Sequence, residues 1–313
     1  MTQSVRCGGH ATLLFAVEPQ PLDRMNQGSI GIGACFDAGV DVHVLGDEPL
    51  NHHVFVIEGI EDCLKEAVEK VATRALFHAG SNPMHLGIRF TLPFSRGFGM
   101  SAAVAAAVAL IVQPDEHKSA IAIAHLVDRE LSGGLGDAAG LAVGGIERRS
   151  SIGSLWHLDG TPGAGVASSF PVDAPVLLIW GEEQEYTADW INDEERASMI
   201  RSAGRASLEM IEPNKWSSEV WPSIISASVN FLSNSGFHNL QGLMNVLDHA
   251  QELVLRNGMG EQVVVLPCYI GASVLIVPRY LDSENVDLSP LMTSEISGRC
   301  LLTRISQNPL RVV

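Results

Sequence analysis

Residues 93–103, Pro-Phe-Ser-Arg-Gly-Phe-Gly-Met-Ser-Ala-Ala, limit the fold more than any other stretch of this 313-residue chain. Ahead of them, Leu86–Leu92 alternates in polarity as a strand does. Behind them, Ser101–Val112 is almost wholly Ala, Val, Leu and Ile, which predicts a buried helix packed closely on its neighbours. The order is strand, glycine-rich loop, helix N-terminus. Gly97 and Gly99 bare the backbone to a ligand. The first N–H groups of the helix have no partner within it, and the helix dipole adds positive charge there, so the terminus suits phosphate. Ser101 stands where a hydroxyl caps a helix or ligates a divalent cation. The plain alternative is a turn with a serine cap. No Lys follows the glycines, so the loop is neither a Walker A motif nor G-x-G-x-x-G.

The charge balance narrows the partners. A formal net charge of −16 argues against nucleic acid, which needs a basic surface. Only four residues are Lys (65, 70, 118 and 215), so a phosphate site is expected to rely on backbone N–H groups, a metal ion and Arg. Five scattered Cys, at 7, 35, 63, 268 and 300, form no C-x-x-C pair and read as free thiols. With no apolar run of 18 residues and no signal-peptide core near Met1, a cytoplasmic protein without a membrane span is expected. A length of 313 residues and a 46% apolar share fit one or two domains with ample core.

Along the chain, 11–17 and 33–40 read as strands, joined by a Gly- and Pro-rich loop over 19–33 in which Ser29 is a candidate binding residue. His52 and His53, side by side, would point apart on a strand and make a poor metal pair. Helical spacing marks 62–79 and 115–131. The segment Ser132-Gly133-Gly134-Leu135-Gly136-Asp137 then opens a short helix of small residues. Asp137 is either its N-cap or, beside a phosphate loop, a group able to take a proton from a hydroxyl. Arg149 suits a bidentate carboxylate clamp, while Arg148 would face the other way. A glycine-rich loop at 160–165 marks a domain boundary, giving domains 1–165 and 166–313. A strand at 175–180, helices over 193–211, 219–234 and 239–256, and a strand pair at 263–266 and 273–277 complete the reading.

Pro93-x-x-x-Gly97-x-Gly99-x-Ser101-Ala102 before a buried helix resembles the second motif of the GHMP small-molecule kinases. Gly134-Leu135-Gly136-Asp137, followed by Gly144-Gly145 and Arg149, is similar to the pattern of the archaeal pantoate kinase branch, as is His10 in the slot where most relatives carry Lys. Ala124-His125-Leu126-Val127-Asp128 resembles that branch's Ala-His-x-Ala-Glu, with Asp for Glu. Ile30 follows Ser29 where the branch has Arg, a departure from it; Pro267–Ser273 keeps a single Gly of the superfamily's third motif, a reduced form that the branch resembles too.

The resemblance implies a two-domain α+β fold, with an N-terminal domain like domain 2 of ribosomal protein S5 and a C-terminal ferredoxin-like α/β sandwich. It implies ATP and Mg²⁺ as cofactors, an acidic small-molecule substrate, no membrane partner and a homodimer. Carried onto this sequence, it places ATP at Arg96, Gly97, Phe98, Gly99, Met100, Ser101 and Ala102. It places the metal at Ser101 and Asp128, with Glu130 as the alternative, and the catalytic carboxylate at Asp137. The substrate falls to Ser29, His10, Arg149 and His125. The activity implied is phosphorylation of (R)-pantoate to 4-phosphopantoate for coenzyme A biosynthesis. Mevalonate or phosphomevalonate kinase, or a non-catalytic nucleotide-binding relative, is the alternative.

Overall fold

The computed structural model describes residues 3–46, 50–183, 187–212, 215–281, 286–296 and 298–313. The first half contains β1 (Ser4–Val17), β2 (Ser29–Gly46), β3 (Val54–Glu58), α1 (Lys65–His78), β4 (His85–Phe90), α2 (Met100–Val112), α3 (His117–Glu130), α4 (Asp137–Val143), β5 (Ile146–Ser151) and β6 (Val166–Phe170). The second half contains β7 (Pro175–Trp180), α5 (Thr187–Ile191), α6 (Glu194–Glu209), α7 (Trp221–Asn234), α8 (Gln241–Arg256), β8 (Val263–Cys268), β9 (Ser273–Pro278), β10 (Cys300–Arg304) and β11 (Leu310–Val312).

Two sheets and their helices make an α+β fold. The first sheet runs β11-β1-β2-β4-β3, and β5 joins the other end of β2 and carries β6. The second is antiparallel, in the order β10-β7-β9-β8. The chain passes from one sheet to the other between Phe170 and Pro175, beyond the expected boundary at 165, and β11 returns to the first sheet. Among the described residues no helix is long and apolar enough to cross a membrane.

The apolar run after the glycine loop becomes the central helix of the first layer. From Ala102 to Ile111 every residue of α2 is buried, against β1, β2, α1, α3 and α4. Alanine at most of these positions lets so many neighbours approach one helix. Residues 29–33, the end of the segment expected as loop, are strand: β2 begins at Ser29 and pairs with β1 and β5. His52 and His53 lie in a loop, where His53 Nδ1 accepts from the Met84 amide at 3.1 Å.

The second half also folds onto β1. Ser228 Oγ donates to Leu13 O at 2.9 Å, Arg201 Nε donates to Val17 O at 2.7 Å, and the Tyr269 amide donates to Thr12 O at 3.0 Å. These bonds bring the β8–β9 turn beside the glycine loop.

Candidate active site

The glycine loop ends at Gly99, which takes a left-handed conformation (φ 63°) as N-cap of α2. The first backbone bond onto the cap is from Ala103 N to Gly99 O at 3.1 Å, so the amides of Met100, Ser101 and Ala102 precede the helical ladder. Both loop glycines are needed for packing as well as for ligand approach. A Cβ on Gly97 (φ 84°) would lie 3.1 Å from Gly271 Cα, and one on Gly99 would lie 3.1 Å from Asp137 Cγ. The shortened third motif therefore braces the loop: a Cβ on Gly271 would collide with the Arg96 carbonyl, and Ser273 Oγ donates to that same oxygen at 2.6 Å.

A cavity of about 360 Å³ opens over this loop. Residues 97–101 line one side, with Ser132–Gly134, Asp137, Ile270 and the α1 residues Ala67, Lys70 and Val71 around it. A second cavity of about 40 Å³ adjoins it, lined by Thr12, Phe15, Ser29 and Leu135 among others. The two share Gly134, Asp137, Tyr269 and Ile270, so Asp137 stands in the wall between them.

Ser101 does not cap α2; its hydroxyl donates to Asp128 Oδ1 at 2.7 Å. Asp128 is buried, and its Oδ2 has no partner. Burial, reinforced by the charge of Asp137, raises the Asp128 carboxyl to about 7. An orphaned carboxylate oxygen next to a hydroxyl is a fitting donor pair for a hard cation. Among the described residues no group of three or more His, Cys, Asp and Glu could hold a metal by itself. Mg²⁺ takes one or two protein oxygens and completes its shell with phosphate and water. Glu130 is engaged elsewhere, by Arg74 at 3.2 Å and His78 at 3.1 Å.

Asp137 is the first residue of α4 and does not cap it. Its Oδ1 lies 2.7 Å from His10 Nδ1, and its Oδ2 lies against Gly134, where a Cβ would strike it. His10 is sealed from solvent. Burial acts to lower its pKa, but hydrogen bonds to Asp137 and Glu147 outweigh that and raise it. The His10 Nε2 lies 3.0 Å from Glu147 Oε1, and Arg149 Nη1 donates to the same oxygen.

Several expected contacts take other forms. His10 touches Asp137 and lines neither cavity. Arg149 is not a solvated strand-end residue; it is buried between Gly31 and Gly136, with Nε and Nη2 unpartnered. His125 also lines neither cavity: it donates from Nε2 to Arg24 O at 3.1 Å, and burial lowers it to about 4. Arg96 turns away from the phosphate loop, donating to Gly181 O at 3.2 Å and Glu61 at 3.1 Å. Instead a lysine, Lys70, reaches the rim of the larger cavity, held by Glu66 at 2.9 Å. Arg148 does face the other side of β5, with its guanidinium over the Trp216 ring.

Residues 62–145, which contain the glycine loop, Asp128 and Asp137, match the family profile described as GHMP kinases N terminal domain. Over that segment the chain is similar to the N-terminal domain of the GHMP kinases. Solved structures of the same fold cover almost the whole chain. One is a phosphotransferase related to the CoA biosynthesis pathway, with 20% identity and a TM-score of 0.72, covering 100% of this chain and 99% of its own. Another is L. major mevalonate kinase in complex with R-mevalonate (10% identity, TM-score 0.63, 97% and 96% covered). A third is MDDEF in complex with MVAPP, AMPPCP and magnesium (13% identity, TM-score 0.60, 100% and 99% covered). At these identities the likeness is one of fold, and no curated protein sequence matches the chain. The match over residues 62–145 supports a phosphotransferase.

Proposed function

We propose that this chain is an ATP- and Mg²⁺-dependent kinase of a small hydroxy acid, with (R)-pantoate as acceptor and 4-phosphopantoate as product in coenzyme A biosynthesis. The observation that carries the reading is the position of Asp137, in the wall shared by the glycine-loop cavity and the smaller cavity beside Ser29. Phosphoryl transfer needs a nucleotide cradled on one side, an alcohol on the other and a carboxylate aimed at that alcohol. The α2 amides and the loop receive the triphosphate, with Lys70 at the rim. Ser101 and Asp128 would hold Mg²⁺, which when bound neutralises charge on the phosphate oxygens. Asp137, fixed through Oδ1 by His10, takes the hydroxyl proton or orients that oxygen with Oδ2.

The smaller cavity, at about 40 Å³, receives the hydroxyl end of the acceptor; the remainder has to widen it. Ser29 lines it, and the unpartnered Nε of Arg149 lies against Gly136, which also lines it. The Ile30 departure costs this cavity nothing. Neighbours on a strand point to opposite faces, and Ile30 lines a groove with Arg148 on the other side of the sheet.

The deciding experiment is ADP release with Mg²⁺ and ATP in the presence of (R)-pantoate or (R)-mevalonate, with the phosphorylated product identified. Pantoate-dependent turnover supports the reading. Turnover on mevalonate alone would replace the substrate, and bound nucleotide without turnover on either would make the chain a binding relative.

A further inference from the structure

Glu147, on β5, is wholly buried. The antiparallel pairing of β5 with β2 sets Glu147 opposite Gly33 and Arg149 opposite Gly31. The missing side chains on β2 leave room for both charged groups: a Cβ on Gly33 would collide with His10 Nε2 and come within 2.7 Å of Glu147 Oε1. On the far side of the ring, a Cβ on Gly140 would also collide with His10.

His10 has a carboxylate oxygen at each ring nitrogen: Asp137 Oδ1 at 2.7 Å from Nδ1 and Glu147 Oε1 at 3.0 Å from Nε2. A neutral imidazole has one N–H and one lone pair. It would therefore set a lone pair against one of these oxygens in a dry interior. Arg149 Nη1 could donate to Nε2 instead, but at 3.4 Å it is farther than Glu147 Oε1 and already donates to that oxygen. The arrangement closes electrically when Asp137 and Glu147 are anions and His10 and Arg149 are cations. Without the Glu147 charge, the two cations would stand 3.4 Å apart with Asp137 as their single counter-ion in the set.

We propose, building on the kinase reading above, that Glu147 is a positioning residue that keeps His10 doubly protonated, so that His10 in turn holds the Asp137 carboxylate ionised and aimed at the acceptor hydroxyl. Glu147 touches neither nucleotide nor acceptor; it acts through the ring. Among the described residues the titratable and charged groups around that ring are Asp137 from α4, Glu147 and Arg149 from β5, and Cys35 from β2, whose thiol donates to Gly140 O at 3.2 Å. The raised basicity of His10 agrees with this assignment.

The test is imidazole ¹⁵N–¹H NMR of the full-length protein, with the His10 signals assigned by their loss in His10→Gln. In wild type both His10 nitrogens carry protons at pH 7.5, where an ordinary histidine has largely lost one. In Glu147→Gln only one does. The alkaline limb of kcat with (R)-pantoate moves toward acid by at least about one pH unit, while KM for ATP stays within about twofold. A singly protonated His10 in active wild-type enzyme overturns the role of Glu147, and that measurement needs no variant at this buried position. A doubly protonated ring in Glu147→Gln overturns it equally. Absence of wild-type turnover on any hydroxy acid would instead overturn the kinase reading, leaving the NMR result to stand by itself.

Discussion

Ser101, in the first turn of α2, donates its hydroxyl to Asp128 Oδ1 at 2.7 Å, joining the glycine-loop helix to α3 inside the cavity wall. The other oxygen of Asp128 is buried and unpartnered. The first prediction concerns pH. Burial, and then the charge of Asp137, raises the Asp128 carboxyl to about 7 in the folded protein, whereas an unfolded Asp ionises near its ordinary value. The folded state thus holds a proton that the unfolded state has released, so this group's contribution to stability is lost as pH rises toward 7. Mg²⁺ competes with that proton. The Mg²⁺ concentration giving half-maximal rate should therefore rise by up to about tenfold per pH unit below 7, and the melting-temperature gain from Mg²⁺ with AMPPCP should be larger at pH 8 than at pH 6. Asp128→Asn should flatten both dependences.

Asp137→Ala should lower kcat by roughly 10²–10⁴, the range of a lost general base, with nucleotide affinity nearly intact. Single-turnover rates and binding of a fluorescent ATP analogue would measure the two separately. Wild-type rates would remove Asp137 from the chemistry.

Arg149→Ala should act on folding before it acts on binding. It strips one of the two partners, His10 being the other, from the sealed Glu147 carboxylate, and breaking a buried pair costs about 3–5 kcal/mol. Chemical denaturation should show that loss. In the fraction that folds, KM for the acidic acceptor should rise more than KM for ATP. Equal effects on both would take Arg149 out of the acceptor site.

Gly271→Ala tests whether the reduced third motif supports the nucleotide loop. The added methyl would strike the Arg96 carbonyl, and overpacking of this kind costs about 1–3 kcal/mol. KM for ATP should rise with KM for the acceptor little changed. An unaltered KM for ATP in a folded variant would show that the brace is dispensable.

The strand, glycine loop and buried helix were legible in the sequence because their signal is local: alternation at 86–92, two glycines, then an alanine-rich run, each interpretable without knowing what lies across the fold. Asp137 was legible for the same reason. Glu147 was not, since its burial follows from the pairing of β5 with β2 more than a hundred residues upstream, and a Glu beside two Arg looks like a solvated strand end. Its one signal was alternation, which puts 147 on the same side of the strand as Arg149. Residues 29–33 misled as a loop because glycine usually signals a turn; here Gly31 and Gly33 are strand residues making space for Arg149 and His10. His125 fits the sequence motif, yet the helix carries its ring beneath Arg24 and away from both cavities. Lys70 was passed over because the chain has only four Lys and Arg was expected in their place, although α1 brings Lys70 to the larger cavity.

The imidazole of residue 10 is pressed between two bare stretches of backbone, at 33 and 140, which come from a strand and a helix far apart in the chain. Neither position can acquire a side chain while the ring keeps its place. In homologous chains of this design, residue sizes at 10, 33 and 140 should therefore change in concert: a methyl gained at either glycine would accompany a slimmer group at 10, and the three positions would be inherited as a unit.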